Sequence, residues 1–199
     1  AACNRFAYGY VQGMQAAAAE LGTNVEATIS FLYGGSFSAS TELQTQISGW
    51  YTNGTEVVFA CGGSMLQSVK AAAAETENGK IIGVDTDQSA ESDRVITSAF
   101  KNLSGSVDLT LTKWFEGKWD GELADKLSNL GVGDEATGLP TAEGSWRFEN
   151  FTVDQYHEVF AKVADGSIKI DSDCADLSTA AAWDGLKANC PNVTLTLEY

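Results

Sequence analysis

The sequence predicts an α/β protein built on a doubly wound parallel sheet, and three observations support this fold class. Helix and strand patterns alternate along the first half of the chain. Residues 55–89 form one complete strand–helix–strand unit, and such a unit joins two parallel strands. Apolar residues make up 44% of the 199 residues, which is enough to build a hydrophobic core.

The first elements follow from hydrophobic spacing. Residues 6–21 carry apolar side chains at helical spacing and are followed by Gly22, which predicts an amphipathic helix and its end. Residues 25–33 alternate apolar and more polar side chains and predict a strand that ends at the YGGSFS turn. A second helix is predicted at about residues 41–52, before Asn53-Gly54.

The strand–helix–strand unit carries the clearest local signals. Residues 57–60 predict a short strand, and residues 80–84 predict the strand that follows the helix. Ser64 and Gln67 have the spacing of a capping box, which predicts the start of the intervening helix, and Gly79 predicts a stop after it.

Residues suited to ligand contact follow both strands of this unit. Gly62 and Gly63 come after the first strand, and Asp85 ends the second. Parallel strands joined through a helix have their carboxyl ends at one edge, and open α/β sheets bind ligands just outside that edge. The sequence therefore predicts that Gly62, Gly63 and Asp85 converge on a ligand-binding edge.

The second half of the chain has fewer periodic signals. Residues 95–100 predict a further strand that ends at Lys101, and apolar residues from Val107 to Phe115 predict a helix. Residues 118–144 are rich in Gly and acidic residues, which is typical of a crossing or linker region. Further predictions are a helix opened by the capping box of Thr152 and Gln155, a short strand at residues 167–170, and a final half-buried strand at residues 193–199.

The charge balance limits the partners. With 12 Lys and Arg against 27 Asp and Glu, the formal net charge is −15. Such a surface repels phosphate backbones and anionic lipid, so nucleic acid is not expected as a partner. The sequence contains no run of about 18 apolar residues, so it predicts no membrane-spanning helix.

Cysteine and histidine usage predicts no metal or cofactor. The cysteine spacings do not resemble a zinc site, and His157 is predicted on a helix surface without a partner motif. Cys174 and Cys190 flank a short segment and are compatible with a disulfide in an exported protein. Cys61 is expected to be buried at the end of its strand.

Six short motifs carry a family resemblance. NRFAYGYVQGMQAAAAELG, YGGSFS, VVFACGG, KIIGVDTDQS, VITSAFKN and DGSIKI resemble, in the same order, the C-terminal half of the basic membrane protein family. Members of this family are solute-binding lipoproteins of ABC importers, among them purine nucleoside receptors. The resemblance implies a type I periplasmic-binding-protein fold, in which two α/β lobes are hinged around a nucleoside that is bound without catalysis.

The same resemblance implies a location and partners. The protein is expected outside the cytoplasm, on the cell surface or in the periplasm, with a lipid anchor on the full-length protein. Its expected partners are a purine nucleoside or similar small solute and an ABC permease in the membrane.

The resemblance also implies ligand contacts, position by position. Phe37 of the YGGSFS turn corresponds to the aromatic residue that stacks on the nucleobase, and its flat apolar face suits a purine. Gly62 and Gly63 match a glycine pair at which ligand and backbone meet. Asp85 matches a carboxylate that accepts hydrogen bonds from ribose hydroxyls, and Lys101 matches a lysine that reaches the same sugar.

One departure from the family pattern concerns the N-terminal lobe and the first strand of the second lobe, which are not found in this sequence. We expect another chain or a longer precursor to supply the missing lobe, and we expect the strands beside the missing one to lack hydrogen-bond partners. We divide the chain into a ligand-binding lobe (1–102), a crossover helix, linker and helix–strand segment associated with the other lobe or hinge (103–170), and a C-terminal return segment and strand (171–199).

Two alternatives remain open at this point. Asp85 and Asp87 of VDTDQS are similar to the paired aspartates of magnesium-dependent haloacid-dehalogenase phosphatases, although those follow the first strand of their fold. A ligand-sensing regulatory domain of the same fold is the other alternative, but the sequence has no basic DNA-binding segment.

Overall fold

The structure is a computed structural model that describes residues 2–30, 37–171 and 180–198. Helices and strands alternate as far as the third strand, as the periodicity predicts. In chain order the main elements are α1 (Ala2–Leu21), β1 (Val25–Ser30), α2 (Thr41–Thr52), β2 (Val57–Phe59), α3 (Met65–Ala74), β3 (Lys80–Asp85), β4 (Val95–Lys101), α4 (Leu103–Phe115), β5 (Thr137–Gly138), α5 (Val153–Ala164), α6 (Ala180–Asn189) and β6 (Val193–Glu198).

The strands in the described part of the chain form two sheets. The larger sheet has the order β2-β3-β4-β5, in which β2, β3 and β4 are parallel and β5 is antiparallel to β4. The smaller sheet pairs β1 with β6 in parallel, from Val25 opposite Val193 to Ser30 opposite Glu198. The α/β class with parallel strands, predicted from the sequence, is confirmed.

Two hydrophobic clusters stabilise these sheets. The first lies between α2, α3 and the larger sheet, and its most buried members include Ile47, Leu66 and Ile81. The second joins α1 to α6 and β6 through Tyr8, Val11, Trp183, Leu186, Cys190, Val193 and Leu195. Full burial of each large apolar side chain contributes about 1.5–3 kcal/mol.

Helix α1 contacts both sheets. Its Tyr8 and Val11 belong to the second cluster, whereas the rings of Phe6 and Tyr10 lie 6.0 and 5.6 Å from the ring of Phe59 in β2. Among the described residues, β1 forms a ladder only with β6, and β2 only with β3. Within the described residues, each of these two strands therefore keeps one edge without a ladder partner.

Three local predictions need correction. Ser64 stands at the N-cap position of α3, but its side chain accepts no capping hydrogen bond; its hydroxyl donates to the carbonyl of Phe37 at 3.1 Å. Residues 167–170 are not a strand: Gly166 has a positive φ of 78°, and the amide of Ile168 donates back to the carbonyl of Lys162. Cys61 is half-buried rather than buried.

Other local signals hold. Thr152 and Gln155 form the predicted capping box of α5, and Gly117, with φ of 72°, follows the end of α4. His157 is exposed on α5. No helix in residues 2–30, 37–171 or 180–198 has both the length and the apolar character needed to cross a membrane.

Candidate ligand-binding site

Phe37 packs directly against the backbone that follows β2. A Cβ atom added to Gly62 would lie 2.7 Å from Cδ1 of Phe37, and one added to Gly63 would lie 2.9 Å from both its Cβ and its carbonyl oxygen. Gly63 also has φ of 40°, in the left-handed region that glycine tolerates best. The absence of side chains at both positions is therefore what allows the aromatic residue to approach.

The Phe37 ring is available to a ligand in this arrangement. The residue is 62% exposed, although the hydroxyl of Ser64 fixes its carbonyl by the hydrogen bond described above. An exposed aromatic ring on a fixed backbone offers a flat stacking surface at a small cost in conformational entropy. The first part of the YGGSFS turn, residues 33–36, lies outside the described residues.

Asp85 and Lys101 form the second part of the site. Asp85 ends β3, and Lys101 ends the neighbouring β4, one residue after the register partner of Asp85, so the two strand ends bring the side chains together. The Oδ1 atom of Asp85 lies 2.6 Å from Nζ of Lys101, with the side chains 46% and 40% exposed. The Oδ1 atom itself is buried and has no well-aligned hydrogen bond. The nearby charge of Lys101 offsets the cost of burying it.

The backbone at Asp85 is unusual. Its φ of 67° is uncommon for a residue with a side chain, and Asp is among the few types that adopt this conformation readily. Exposed ion pairs contribute little to folding stability, typically about 0–1 kcal/mol. This ion pair, on a left-handed residue at the carboxyl edge of the parallel sheet, is therefore expected to contribute little to folding stability.

Cys61 connects the two parts of the site. It precedes Gly62 in the chain, and the charges of both Asp85 and Lys101 act on its thiol. The pKa of Cys61 is raised to about 12, chiefly by burial; Cys3 and Asp85 contribute to the rise, and Lys101 opposes it. We therefore describe one continuous rim, consisting of Phe37, Gly62, Gly63, Asp85 and Lys101, with Cys61 between its halves.

Sequence reasoning missed Phe6 as part of this rim. Nζ of Lys101 lies 4.9 Å from the centroid of the Phe6 ring, which is a cation–π contact. From the sequence, Phe6 is identified only as one of the apolar residues of an amphipathic helix. The available signal was topological, because the first turn of α1 lies at the edge where the parallel strands end.

Asp87 belongs to loop structure rather than to the rim. Its Oδ2 accepts a hydrogen bond from the hydroxyl of Ser145 at 2.5 Å, and its Oδ1 accepts one from the amide of Ser89 at 3.0 Å. Burial acts to raise the pKa of Asp87, but these hydrogen bonds outweigh it and lower the pKa below its ordinary value. With both oxygens engaged, Asp87 is poorly placed to share a magnesium ion with Asp85, which disfavours the phosphatase alternative.

The rim is an open surface. A pocket of about 320 Å³ lies at the opposite edge of the larger sheet, where β2 and β3 begin, and is lined by Tyr51, Glu56, Thr76 and Gly79 among others. None of the rim residues lines it. In the part of the chain that the structure describes, no group of three or more His, Cys, Asp or Glu could hold a metal ion.

The disulfide predicted between Cys174 and Cys190 stays a prediction. Cys190 is buried in the cluster of α1, α6 and β6. Cys174 lies outside the described residues.

A parallel α/β sheet with a ligand-competent rim at its carboxyl edge is typical of solute-binding proteins. A family model described as "ABC transporter substrate-binding protein PnrA-like" matches residues 1–170, and the chain belongs to this family. The family resemblance seen in the motifs is therefore confirmed, and with it a solute-binding role. Residues 171–199 lie beyond the match.

A solved structure shares the fold. It is titled as a crystal structure of ABC transporter system solute-binding proteins from Aeropyrum pernix K1, and it aligns with a TM-score of 0.51 at 17% sequence identity. The alignment covers 94% of this chain and 69% of that chain. No curated protein sequence matches the chain.

Proposed function

We propose that this protein binds a purine nucleoside at the rim, without turnover, as the solute-binding component of an ABC importer. Family membership establishes the coarser role of substrate binding. One observation supports a nucleoside as the ligand. On one side of Cys61 an exposed aromatic ring lies against two glycines, and on the other side an acid and a base form an ion pair.

The chemistry of the rim matches the two halves of a nucleoside. The Phe37 ring provides a stacking surface for the base, and each stacked base typically contributes about 1–3 kcal/mol. Asp85 accepts hydrogen bonds from a vicinal diol, and Lys101 donates to the same sugar while neutralising Asp85. A nucleoside carries no phosphate, so the acidic surface of the chain does not repel it.

The open rim supports a second lobe as the other half of the cleft. Ligand pockets usually bury most of the ligand surface, whereas Phe37, Asp85 and Lys101 are all substantially exposed. In this proposal the second lobe, in another chain or a longer form of this one, closes over the nucleoside. An ABC permease in the membrane then receives the ligand, and the receptor works outside the cytoplasm with a lipid anchor on its full-length form.

Calorimetric titration of the two-lobed assembly tests the proposal. Adenosine, guanosine, inosine and cytidine are titrated separately, and the purine nucleosides are expected to give measurable heats and to be recovered unchanged. Phe37→Ala is expected to weaken purine binding by about 1–3 kcal/mol. Phe115→Ala is the matched control, because Phe115 is 78% exposed on α4 and has no place in the rim. Equal, negligible heats for all four nucleosides would contradict the proposal.

A further inference from the structure

Two cysteines meet beside the rim. Cys3 lies in the first turn of α1, and Cys61 follows β2 directly before the glycine pair. The Sγ atom of Cys61 lies 3.9 Å from the carbonyl oxygen of Cys3, the two thiols interact with each other, and both residues are half-buried. The residues are 58 positions apart in sequence, so their contact is a product of the fold.

The packing of α1 on β2 holds this contact in place. Phe6 lies one helical turn after Cys3 and packs edge-on against Phe59, two residues before Cys61. Tyr10, one further turn along α1, packs against the same ring. Two aromatic contacts therefore fix the first turns of α1 against the strand whose end carries Cys61.

We propose that Cys3 and Cys61 are a redox-reactive pair that closes to a disulfide and joins α1 to the end of β2. The oxidant is a second disulfide, either a small molecule or a protein. The Cys3 thiolate attacks one of its sulfurs and releases the first thiol. Cys61, losing its proton, then attacks the mixed disulfide and releases the second. Two protein thiols are oxidised, and one external disulfide is reduced to two thiols.

The order of attack follows from the surroundings of Cys61. Because burial raises its pKa, Cys61 is seldom a thiolate and is suited to the second, resolving step. Once Cys3 carries the mixed disulfide, the two sulfur atoms are already neighbours. The family consists of ABC transporter substrate-binding proteins, which work outside the cytoplasm, where disulfides form and persist.

The bond would close a long loop of the fold. The segment between Cys3 and Cys61 contains β1, α2 and β2, so the link ties the smaller sheet to the larger one. Closing a loop of this length in the unfolded chain is expected to raise Tm by roughly 10 °C. The link also fixes the backbone that leads into Gly62, although its formation does not depend on the proposed ligand.

Tryptic mapping tests the pairing directly, because each cysteine falls in a different tryptic peptide. Cleavage after Arg5 separates Cys3 from Cys61, and cleavage after Lys169 and Lys187 separates Cys174 from Cys190. The folded protein is incubated with oxidised glutathione, its remaining thiols are alkylated, and it is digested without reduction. We expect the peptide ending at Arg5 to be joined to residues 6–70, and dithiothreitol to release the two peptides.

Variants separate this bond from other disulfides. A Cys174→Ser, Cys190→Ser double variant should still form the cross-link and still gain about 10 °C in Tm on oxidation, whereas Cys61→Ser should do neither. The proposal is overturned if Cys3 and Cys61 are both recovered alkylated from the oxidised folded protein. It is equally overturned if either is joined instead to Cys174, Cys190 or glutathione.

Discussion

Asp85 and Lys101 bring opposite charges to within 2.6 Å at the ends of adjacent parallel strands, while almost half of each side chain remains exposed. Solvent screening makes such a pair a weak source of folding stability. The same arrangement holds a carboxylate and an ammonium side by side at the carboxyl edge of the sheet, where the proposed nucleoside sugar would bind. The pair is therefore best tested through ligand affinity rather than through unfolding.

Asp85→Asn should weaken purine nucleoside binding about 10- to 100-fold, because a hydrogen bond to a charged acceptor contributes about 1.5–3 kcal/mol. Asn also adopts positive φ readily, so the variant removes the charge and preserves the backbone. The free energy of unfolding should change by less than about 1 kcal/mol. Titration calorimetry and urea unfolding of the same samples give both quantities.

Asp93→Asn is the matched control for Asp85. Asp93 is fully exposed, and its nearest cation, on Arg147, is 3.8 Å away. Nucleoside affinity should be unchanged in this variant. An equal loss of affinity in the two variants would show that a general charge effect, and not the rim, is being measured.

Gly63→Ala should displace Phe37. The added Cβ would lie 2.9 Å from the carbonyl oxygen of Phe37, and the positive φ of Gly63 adds backbone strain. We expect a loss of about 1–3 kcal/mol in the free energy of unfolding, accompanied by weaker nucleoside binding.

Gly9→Ala provides the contrasting glycine. Gly9 lies within α1, and a Cβ there would have no atom within 4 Å. This substitution should stabilise the protein by up to about 1 kcal/mol, because Ala favours helix. Equal destabilisation in the two variants would contradict a specific role for the contact between Gly63 and Phe37.

Trp183→Ala should be strongly destabilising, by about 3–5 kcal/mol, because Trp183 is 1% exposed in the cluster of α1, α6 and β6. Trp114→Ala on α4 removes the same side chain from a position that is 52% exposed and should cost much less. Thermal unfolding of the two variants side by side checks this order. The reverse order would mean that residues 180–198 do not pack on α1.

Tyr51 should make stability fall at alkaline pH. Its hydroxyl donates to the carbonyl of Lys80 at 2.9 Å; burial raises its pKa well above the ordinary value, while Arg94 acts in the opposite direction. The folded state therefore keeps the proton that the unfolded state loses near pH 10, so this contribution is complete below pH 10 and declines above it.

Tyr51→Phe isolates this contribution. The variant should be less stable than the parent by about 1 kcal/mol at pH 7, because one buried hydrogen bond is lost. Between pH 9 and 11 the free energy of unfolding of the variant should fall less steeply with pH than that of the parent. The difference in slope corresponds to at most one proton bound by the folded state and lost by the unfolded state. Urea unfolding across this range measures the difference, and parallel curves for the two proteins would contradict the assignment.

Sequence patterns predicted the fold well where local and tertiary preferences agree. The unit from β2 to β3 follows from two apolar runs, a helical spacing and the Gly62-Gly63 doublet, and these signals need no knowledge of the rest of the chain. The alternation of Val193, Leu195 and Leu197 with polar residues likewise predicts the final strand. The strand ends of such a sheet then dictate where Asp85 and Lys101 lie.

Predictions failed where a distant residue competes for a local group. Ser64 has the spacing of a capping residue, but its hydroxyl donates to the carbonyl of Phe37, 27 positions earlier, and accepts no hydrogen bond from the helix. Residues 167–170 have strand-like alternation, yet the turn at Gly166 folds Ile168 back onto α5. The contacts of Phe6 with Lys101 and of Cys3 with Cys61 depend on how α1 lies across β2, which hydrophobic spacing does not encode.

The pairing of β1 with β6 has a practical consequence for anyone who shortens this chain. The family match ends at residue 170, but Trp183 and Val193 beyond that point cover apolar residues of α1, and β6 occupies an edge of β1. A fragment shortened to residue 170 would expose the apolar face of α1 and an unpaired edge of β1. Exposed apolar surface and unpaired strand edges both promote aggregation. Soluble expression therefore calls for keeping the chain through residue 198, well past the last recognisable motif.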